Sequence, residues 1–278
     1  MKRIIYLFLC GVFFLVGYSV FLSAFPVNKK GFYSNEDRVE GFLYSKQTFP
    51  VVIVGSSLSG VLDKEELFKA DYFSLYTTGS GGCTGVEVLR RMKWTPAVLF
   101  FEMNYIFKGI DSPLVRKLFA EPNFTAKKYL PLLLKQNMVL TGVVDRLKKK
   151  KRDTIDIQRL PENLYQLSLL RQKKAWWTVG GTARVDTVFN ELAPQLRALA
   201  EKGCAIYFFE MPMDSSLRDA PLLLYERKKV LEYIHRSGGF FIPADTTKVY
   251  NTADGVHLLR EDALHYNTWL EAYTKKIK

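Results

Sequence analysis

The feature that most constrains the fold is a short apolar run that ends in glycine and serine, residues 51–60, with the sequence VVIVGSSLSG. Four branched apolar residues in succession are typical of a strand buried on both faces of a parallel sheet. The strand is predicted to end before Gly55, and Ser56 and Ser57 lie on the turn that follows. Because open α/β folds place their chemistry at the carboxyl ends of strands, Ser57 is a candidate nucleophile.

Similar apolar segments recur along the chain, and helical patterns separate them. The predicted strands are residues 51–54, 72–76, 97–101, 205–209 and 240–242. The predicted helices are residues 86–94, 162–174, 184–202, 221–237 and a last helix that starts near Glu261. This alternation predicts an α/β fold, a three-layer α/β/α domain with about five parallel strands, over residues 50–278.

The N-terminus carries an uncharged apolar run of 22 residues, 4–25, directly after Lys2 and Arg3. A run of this length is typical of a transmembrane helix, and the basic residues before it favour a cytoplasmic N-terminus with the remainder exported. A cleaved signal peptide is the alternative, but bulky Leu22 stands where a small residue is preferred. The sequence therefore predicts a signal-anchor over residues 1–27 and a tether over residues 28–49.

A basic segment of irregular pattern, residues 108–180, interrupts the alternation of strands and helices. It contains sixteen Lys and Arg against six Asp and Glu, so it carries about +10 of the chain's net charge of +12. Residues 130–147 fit an amphipathic helix only roughly, and a basic run follows at 148–152. We predict a helical cap inserted in the sheet domain. Its charge favours phospholipid headgroups or anionic envelope polymers, with a merely solvated basic face as the alternative. An exported domain rarely meets nucleic acid, so none is expected as a partner.

Four short polar segments follow predicted strands or precede the last helix. They are Gly55-Ser56-Ser57, Gly79-Ser80-Gly81-Gly82, Glu102-Met103-Asn104 and Asp254-Gly255-Val256-His257. Among the three histidines, His257 alone lies outside a predicted helix. A serine hydroxyl needs a base to take its proton, and a carboxylate three residues before a histidine can fix the histidine's tautomer. Ser57, His257 and Asp254 are therefore candidate catalytic residues.

In the order and spacing of these segments the chain resembles the SGNH hydrolase superfamily, also called GDSL-like esterases, over most of residues 50–107 and 182–270. The resemblance implies that the oxyanion hole consists of the backbone N–H groups of Ser57 and Gly82 and the side-chain amide of Asn104. Three residues depart from the family pattern: Ser56 and Tyr105 each replace an aspartate, and Glu102 replaces a glycine. Ser56 and Glu102 are candidate supporting residues. The Gly-Ser-Ser triplet is similar to that of a membrane-anchored branch of the superfamily. This branch contains the D-alanine transfer protein of teichoic acid synthesis. Exopolysaccharide O-acetyltransferases share the general layout.

Other chemistries with serine, glycine or histidine motifs do not fit the sequence. The loop from Gly79 lacks the Gly-Lys-Ser/Thr of a P-loop, and Thr84 stands where the dinucleotide fingerprint has its last glycine. Ser57 follows the first strand, whereas the nucleophile of an α/β-hydrolase follows several. Scattered histidines without paired ligand spacing give no zinc site. We expect no metal and no cofactor.

The resemblance and the charge pattern together predict an enzyme of the bacterial cytoplasmic membrane, single-pass, with its catalytic domain in the periplasm or at the cell surface. The expected reaction is acyl transfer through an acyl-serine intermediate to hydroxyls of a cell-envelope polysaccharide. Its expected partners are an acyl donor, a glycan acceptor and a membrane O-acyltransferase that supplies the acyl group. An esterase that removes acyl groups from glycans or lipids is the first alternative. A non-catalytic protein that binds envelope polymer is the second.

Overall fold

The computed structural model describes residues 2–24, 34–62, 72–137, 158–178 and 181–277. The chain forms two compact units. One unit comprises Met1–Lys46 and Pro113–Ile155, and the other comprises Gln47–Ser112 and Asp156–Lys278. We call them the N-terminal unit and the sheet unit. The sheet unit holds every predicted strand and every candidate site residue.

The sheet unit contains a five-stranded parallel sheet, which confirms the predicted α/β class. Its strands are β1 (Val51–Gly55), β2 (Tyr72–Tyr76), β3 (Val98–Glu102), β4 (Ala205–Phe209) and β5 (Phe240–Ile242). They lie in the order β2-β1-β3-β4-β5, and all neighbouring pairs are parallel. Three strands match the predicted bounds, β1 extends one residue further, and β3 begins and ends one residue later than predicted. Helices alternate with the strands, which is consistent with a three-layer α/β/α arrangement.

The strand order places a topological switch point at β1. The chain leaves β1 for β2 on one side and then returns to pair β3 on the other. Val51 is in register with both Tyr72 and Val98, so the carboxyl ends of these strands lie at one edge of the sheet. Ligands of open α/β sheets bind in the crevice outside the strand ends at such a point. The turns after β1 and β3 carry Ser57 and Asn104.

The helices of the sheet unit are α3 (Gly82–Arg91), α6 (Glu162–Trp176), α7 (Gly181–Glu201), α8 (Pro221–Ser237) and α9 (Arg260–Ile277). The prediction for α8 matches, and those for α6, α7 and α9 differ by a few residues. The prediction for α3, residues 86–94, is wrong at both ends. This helix begins inside the glycine-rich segment because Gly85 packs directly on β1: a Cβ there would lie 2.5 Å from Val54 Cγ1.

The N-terminal unit combines the start of the chain with part of the basic segment. It contains α1 (Lys2–Ala24), α2 (Asn35–Leu43), α4 (Ser112–Leu118), α5 (Asn123–Tyr129) and the 3₁₀ turns Pro131–Leu133 and Lys135–Asn137. Lysines fasten the basic segment to α2: Lys117 Nζ lies 2.8 Å from Glu36 Oε2, and Lys127 pairs with the buried Glu40. Helix α2 falls within the predicted tether, and α6 belongs to the sheet unit although it falls within the predicted cap.

Several predictions for the N-terminal unit fall partly outside the described residues. A search of the described residues finds no helix long and apolar enough to cross a membrane. Phe25, the last residue of the apolar run, lies outside them, as do residues 26–33 of the predicted anchor and tether. Residues 130–137 form two short 3₁₀ turns instead of the start of one amphipathic helix, since Pro131 breaks the pattern. The rest of that prediction and the basic run 148–152 also lie outside the described residues.

The close contact between α3 and β1 gives a test of the packing. We expect Gly85→Ala to destabilise the protein by about 1–3 kcal/mol, because the added methyl overlaps Val54. Val54→Ala removes the overlapping methyl groups, so the double variant should lose less stability than the sum of the two single variants. Urea unfolding of the three variants measures this coupling. Strict additivity would contradict the packing described for α3.

Candidate active site

Ser57 lies on a tight turn that backbone hydrogen bonds fix at the end of β1. Gly60 N donates to Ser57 O at 3.2 Å, and Leu58 N donates to Ser56 Oγ at 3.1 Å. Ser56 itself is buried, whereas Ser57 is partly exposed. The turn therefore presents the hydroxyl of Ser57 and uses that of Ser56 to hold its own backbone.

His257 brings the C-terminal part of the chain to this serine. Its Nε2 lies 2.9 Å from Ser57 Oγ, and its Nδ1 lies 2.8 Å from Asp254 Oδ2. Ser57 and His257 are 200 positions apart in the sequence. With the Nδ1 proton directed at the carboxylate, Nε2 is left as the acceptor for the serine O–H. The three predicted residues thus form one continuous hydrogen-bonded chain.

Asp254 is held as an anion by its own turn. Its Oδ1 accepts hydrogen bonds from His257 N at 2.9 Å and from Val256 N at 3.2 Å. Burial alone would raise the pKa of Asp254, but the hydrogen bonds from the side chain and backbone of His257 outweigh burial and lower it. The side chains of Asp254 and His257 are 25% and 29% exposed, so solvent and solutes reach the site.

Helix α3 supplies backbone N–H groups at the same edge of the sheet. Gly82 is its first residue, and the N–H groups in the first turn of a helix have no partner within the helix. A Cβ on Gly82 would lie 3.1 Å from the Phe101 ring and 3.3 Å from the carbonyl oxygen of Glu102. The glycine thus lets the start of α3 approach the end of β3. Backbone N–H groups in such a place can bind an anion.

The side-chain amide of Asn104, a predicted oxyanion-hole donor, makes hydrogen bonds within the protein. The residue is fully buried. Its Nδ2 donates to Met211 O at 3.0 Å, and its Oδ1 accepts from Met211 N at 2.8 Å. The amide therefore pairs with the backbone that follows β4, and one of its two N–H groups is used there. A role for the other N–H in an oxyanion hole stays a prediction.

Helix α6 holds the loop that carries Asp254 and His257, a function that the sequence did not indicate. Tyr165 Oη donates to Asp214 Oδ2 at 2.7 Å and lies 2.9 Å from Thr252 Oγ1. Thr252 Oγ1 accepts from Gly255 N at 3.1 Å, inside the Asp254–His257 turn. Ser168 Oγ donates to Asp254 O at 2.8 Å. The only local signal was a tyrosine at a buried helix position, whose hydroxyl needs a partner.

The two remaining histidines lie on other elements. His235 lies in α8 and His265 in α9, where its ring is 6.0 Å from the ring of Tyr250. Across the described ranges, no group of three or more His, Cys, Asp or Glu side chains is placed to hold a metal ion. The arrangement of Ser57, His257 and Asp254 suits proton transfer to and from a serine hydroxyl.

The hydroxyl of Tyr165 offers a test of how α6 supports the loop. We expect Tyr165→Phe to cost about 1–3 kcal/mol of stability, because Asp214 and Thr252 lose a buried partner. Amide hydrogen exchange at Gly255 and His257 should accelerate. Tyr225→Phe is the matched control, since its hydroxyl contacts Asp186 at 2.9 Å in another part of the unit. Equal exchange of the loop amides in both variants would contradict the role assigned to α6.

Comparison with known proteins does not extend this description. No protein-family model, no curated protein and no solved structure matches the chain. The function proposed for the chain therefore depends on the geometry of Ser57, His257 and Asp254 and on the order of the four polar segments in the sequence.

Proposed function

We propose that the protein is a membrane-anchored, extracytoplasmic SGNH serine acyltransferase that acts on hydroxyls of a cell-envelope polysaccharide. The observation that carries the proposal is the hydrogen-bonded chain from Ser57 Oγ through the His257 ring to Asp254, with distances of 2.9 and 2.8 Å. These distances are within the range of hydrogen bonds between a nucleophile, its base and the group that orients the base. The site also lies at the switch point of a parallel sheet.

In the first half-reaction Ser57 would accept the acyl group. Ser57 Oγ attacks the carbonyl carbon of the acyl donor while its proton moves to His257 Nε2, and Asp254 stabilises the resulting imidazolium. The tetrahedral oxyanion requires N–H donors; the N–H groups of Ser57 and Gly82 are the proposed ones, with the free N–H of the Asn104 amide as a third. Collapse of the intermediate breaks the bond to the leaving group, which takes the proton from His257. An acyl-serine remains.

In the second half-reaction the acyl group would move to an acceptor hydroxyl. His257 takes the proton of that hydroxyl, the acceptor oxygen attacks the acyl-serine, and Ser57 leaves with the proton returned by His257. A sugar hydroxyl as acceptor gives transfer, and water gives hydrolysis. Neither route requires a metal or an organic cofactor.

Membrane anchoring and an envelope acceptor are supported by the sequence. The uncharged run of 22 residues, 4–25, has the length of a bilayer span. The resemblance to the SGNH family is the further support for acyl chemistry, and the membrane-anchored branch of that family points to envelope glycans. A membrane O-acyltransferase as the source of the acyl group is part of the same proposal.

An esterase that uses the same residues is the second candidate. It is favoured by the partial exposure of Ser57, Asp254 and His257, because an open site admits water to the acyl-serine. Turnover of p-nitrophenyl acetate by the full chain in detergent, with and without oligosaccharide acceptors, separates the two candidates. Transfer predicts release that rises with an acceptor, together with acylated sugar. Release that no acceptor changes would indicate an esterase.

Variants of the histidines test whether the site is catalytic at all. We expect His257→Ala and Ser57→Ala to abolish ester turnover, and His265→Ala to retain it, because His265 lies in α9 away from Ser57. Turnover is measured on protein whose folding has been checked by circular dichroism. No turnover by the folded wild-type protein with any ester, or equal turnover by Ser57→Ala, would contradict the enzymatic proposal and favour a polymer-binding protein.

Replacement of the Asp254 carboxylate tests the size of its contribution to turnover. Asp254→Asn keeps the shape of the side chain but removes the charge that stabilises the imidazolium and fixes the Nδ1 proton. We expect turnover to fall by about 10⁴-fold, as for other triads of this type. Asp186→Asn, at an exposed pair with Lys229, is the control and should leave turnover unchanged. A loss of less than tenfold in Asp254→Asn would remove Asp254 from the proposed triad.

A further inference from the structure

A carboxyl group lies buried directly beneath the candidate nucleophile. Glu102, the last residue of β3, is 1% exposed. Its Oε2 accepts a hydrogen bond from Ser56 N at 2.5 Å, and its Oε1 accepts one from Asn104 N at 3.1 Å. One side chain therefore joins the turn after β1 to the turn after β3. These are the turns that carry Ser57 and the Asn104 amide.

The absence of a side chain at Gly55 leaves space for the side chain of Glu102. A Cβ on Gly55 would lie 2.2 Å from Ser59 Oγ, 2.8 Å from Glu102 Cβ and 2.8 Å from Glu102 Oε2, too close for any side chain. Ser59 and Glu102 together therefore require a glycine at the end of β1. A buried carboxyl is costly unless hydrogen bonds compensate it, so the two N–H donors are essential to its placement.

The connection continues to the next strand through Asn104. Its amide makes two hydrogen bonds with the backbone of Met211, which follows β4. The hydrogen bonds thus run from Ser56 through Glu102 and Asn104 to Met211, across the ends of three adjacent strands. Chains of buried hydrogen bonds in a low-dielectric interior are rigid when every member is paired.

Several groups act on the carboxyl of Glu102. Burial raises its pKa, and the hydrogen bonds from Ser56 and Asn104 and the charge of Lys108 offset only part of that rise. Lys108 is itself half-buried, with its ammonium 3.9 Å from the centre of the Tyr105 ring. Both carboxyl oxygens accept N–H hydrogen bonds, which an ionised carboxylate satisfies better than a carboxamide does.

We propose that Glu102 is a positioning residue that holds Ser57 against His257. It does not contact the reacting atoms; it fixes the backbone of Ser56, and thereby the direction of the adjacent Ser57 hydroxyl. This inference rests on the proposed role of Ser57 as nucleophile. It adds that the reactivity of Ser57 depends on a side chain of another strand, β3.

Glu102→Gln is the direct test because it keeps the volume and removes one acceptor. The new NH₂ group faces either Ser56 N–H or Asn104 N–H, so one of the two links is lost. We expect the rate at which a fluorophosphonate labels Ser57 to fall by about 100-fold, the typical cost of a displacement of about 1 Å at a reacting group.

Glu226→Gln is the matched control. Glu226 is also fully buried and accepts a backbone hydrogen bond from Phe107 N at 2.7 Å, in the 3₁₀ turn Ile106–Lys108, but no hydrogen bond joins it to Ser56 or Asn104. Its labelling rate should stay within about threefold of wild type, a difference of less than 1 kcal/mol. Rates are compared per folded molecule, with unfolding measured separately. Equal labelling of Glu102→Gln and wild type, or an equal loss in Glu226→Gln, would overturn the proposal.

A second measurement does not depend on activity. The chain has three histidines, so ¹⁵N-histidine spectra contain few resonances. We expect Glu102→Gln to shift the Nε2 resonance of His257, and the shift to vanish in the Ser57→Ala background, because the effect passes through Ser57. A shift that persists without Ser57 would show a direct electrostatic effect and overturn the proposal. Absence of labelling in the wild-type protein would contradict the proposed function, while this spectrum would still decide the role of Glu102.

Discussion

The structure of the site depends on one hydrogen bond, between Ser57 Oγ and His257 Nε2, that joins residues 200 positions apart. A side-chain hydrogen bond contributes only about 1 kcal/mol by itself, so it cannot bring the two segments together unaided. The sheet does so instead. Because β1 lies between β2 and β3 and all strands are parallel, the turn after β1 and the loop before α9 meet at the same edge.

Close approach of backbones at that edge makes the arrangement specific. A Cβ on Gly81 would lie 2.4 Å from the carbonyl oxygen of Tyr105, and Gly55 and Gly82 are also in contact with residues of β3. Glycine at these positions allows the ends of β1 and β3 and the start of α3 to pack directly against one another. On the other side, Tyr165 and Ser168 of α6 hold the Asp254 loop. Ser57 and His257 are thus held independently from two sides.

The sequence predicted the sheet well and the supporting contacts poorly, for a physical reason. Buried parallel strands are short apolar runs, and a segment such as Val51–Gly55 shows this pattern locally. Ser57, Asp254 and His257 could be identified because the chemistry limits which residue types can serve. The pairing of the Asn104 amide with Met211, 107 positions away, has no local pattern, since a backbone partner can be any residue. The start of α3 at Gly82 was missed because glycine has a low helix propensity, and the packing of Gly82 on β3 and of Gly85 on β1 leaves no local sequence pattern.

We propose that Ser57 carries an acyl group during the reaction. Trapping this acyl-serine intermediate is the decisive measurement. The full chain is mixed with p-nitrophenyl acetate, quenched in acid within the first turnover, digested and examined by peptide mass spectrometry. The account predicts one acetyl group on the peptide that contains Ser57, and none on that peptide in Ser57→Ala. Turnover of the ester without acetylation of Ser57, or acetylation that persists unchanged in Ser57→Ala, would contradict it.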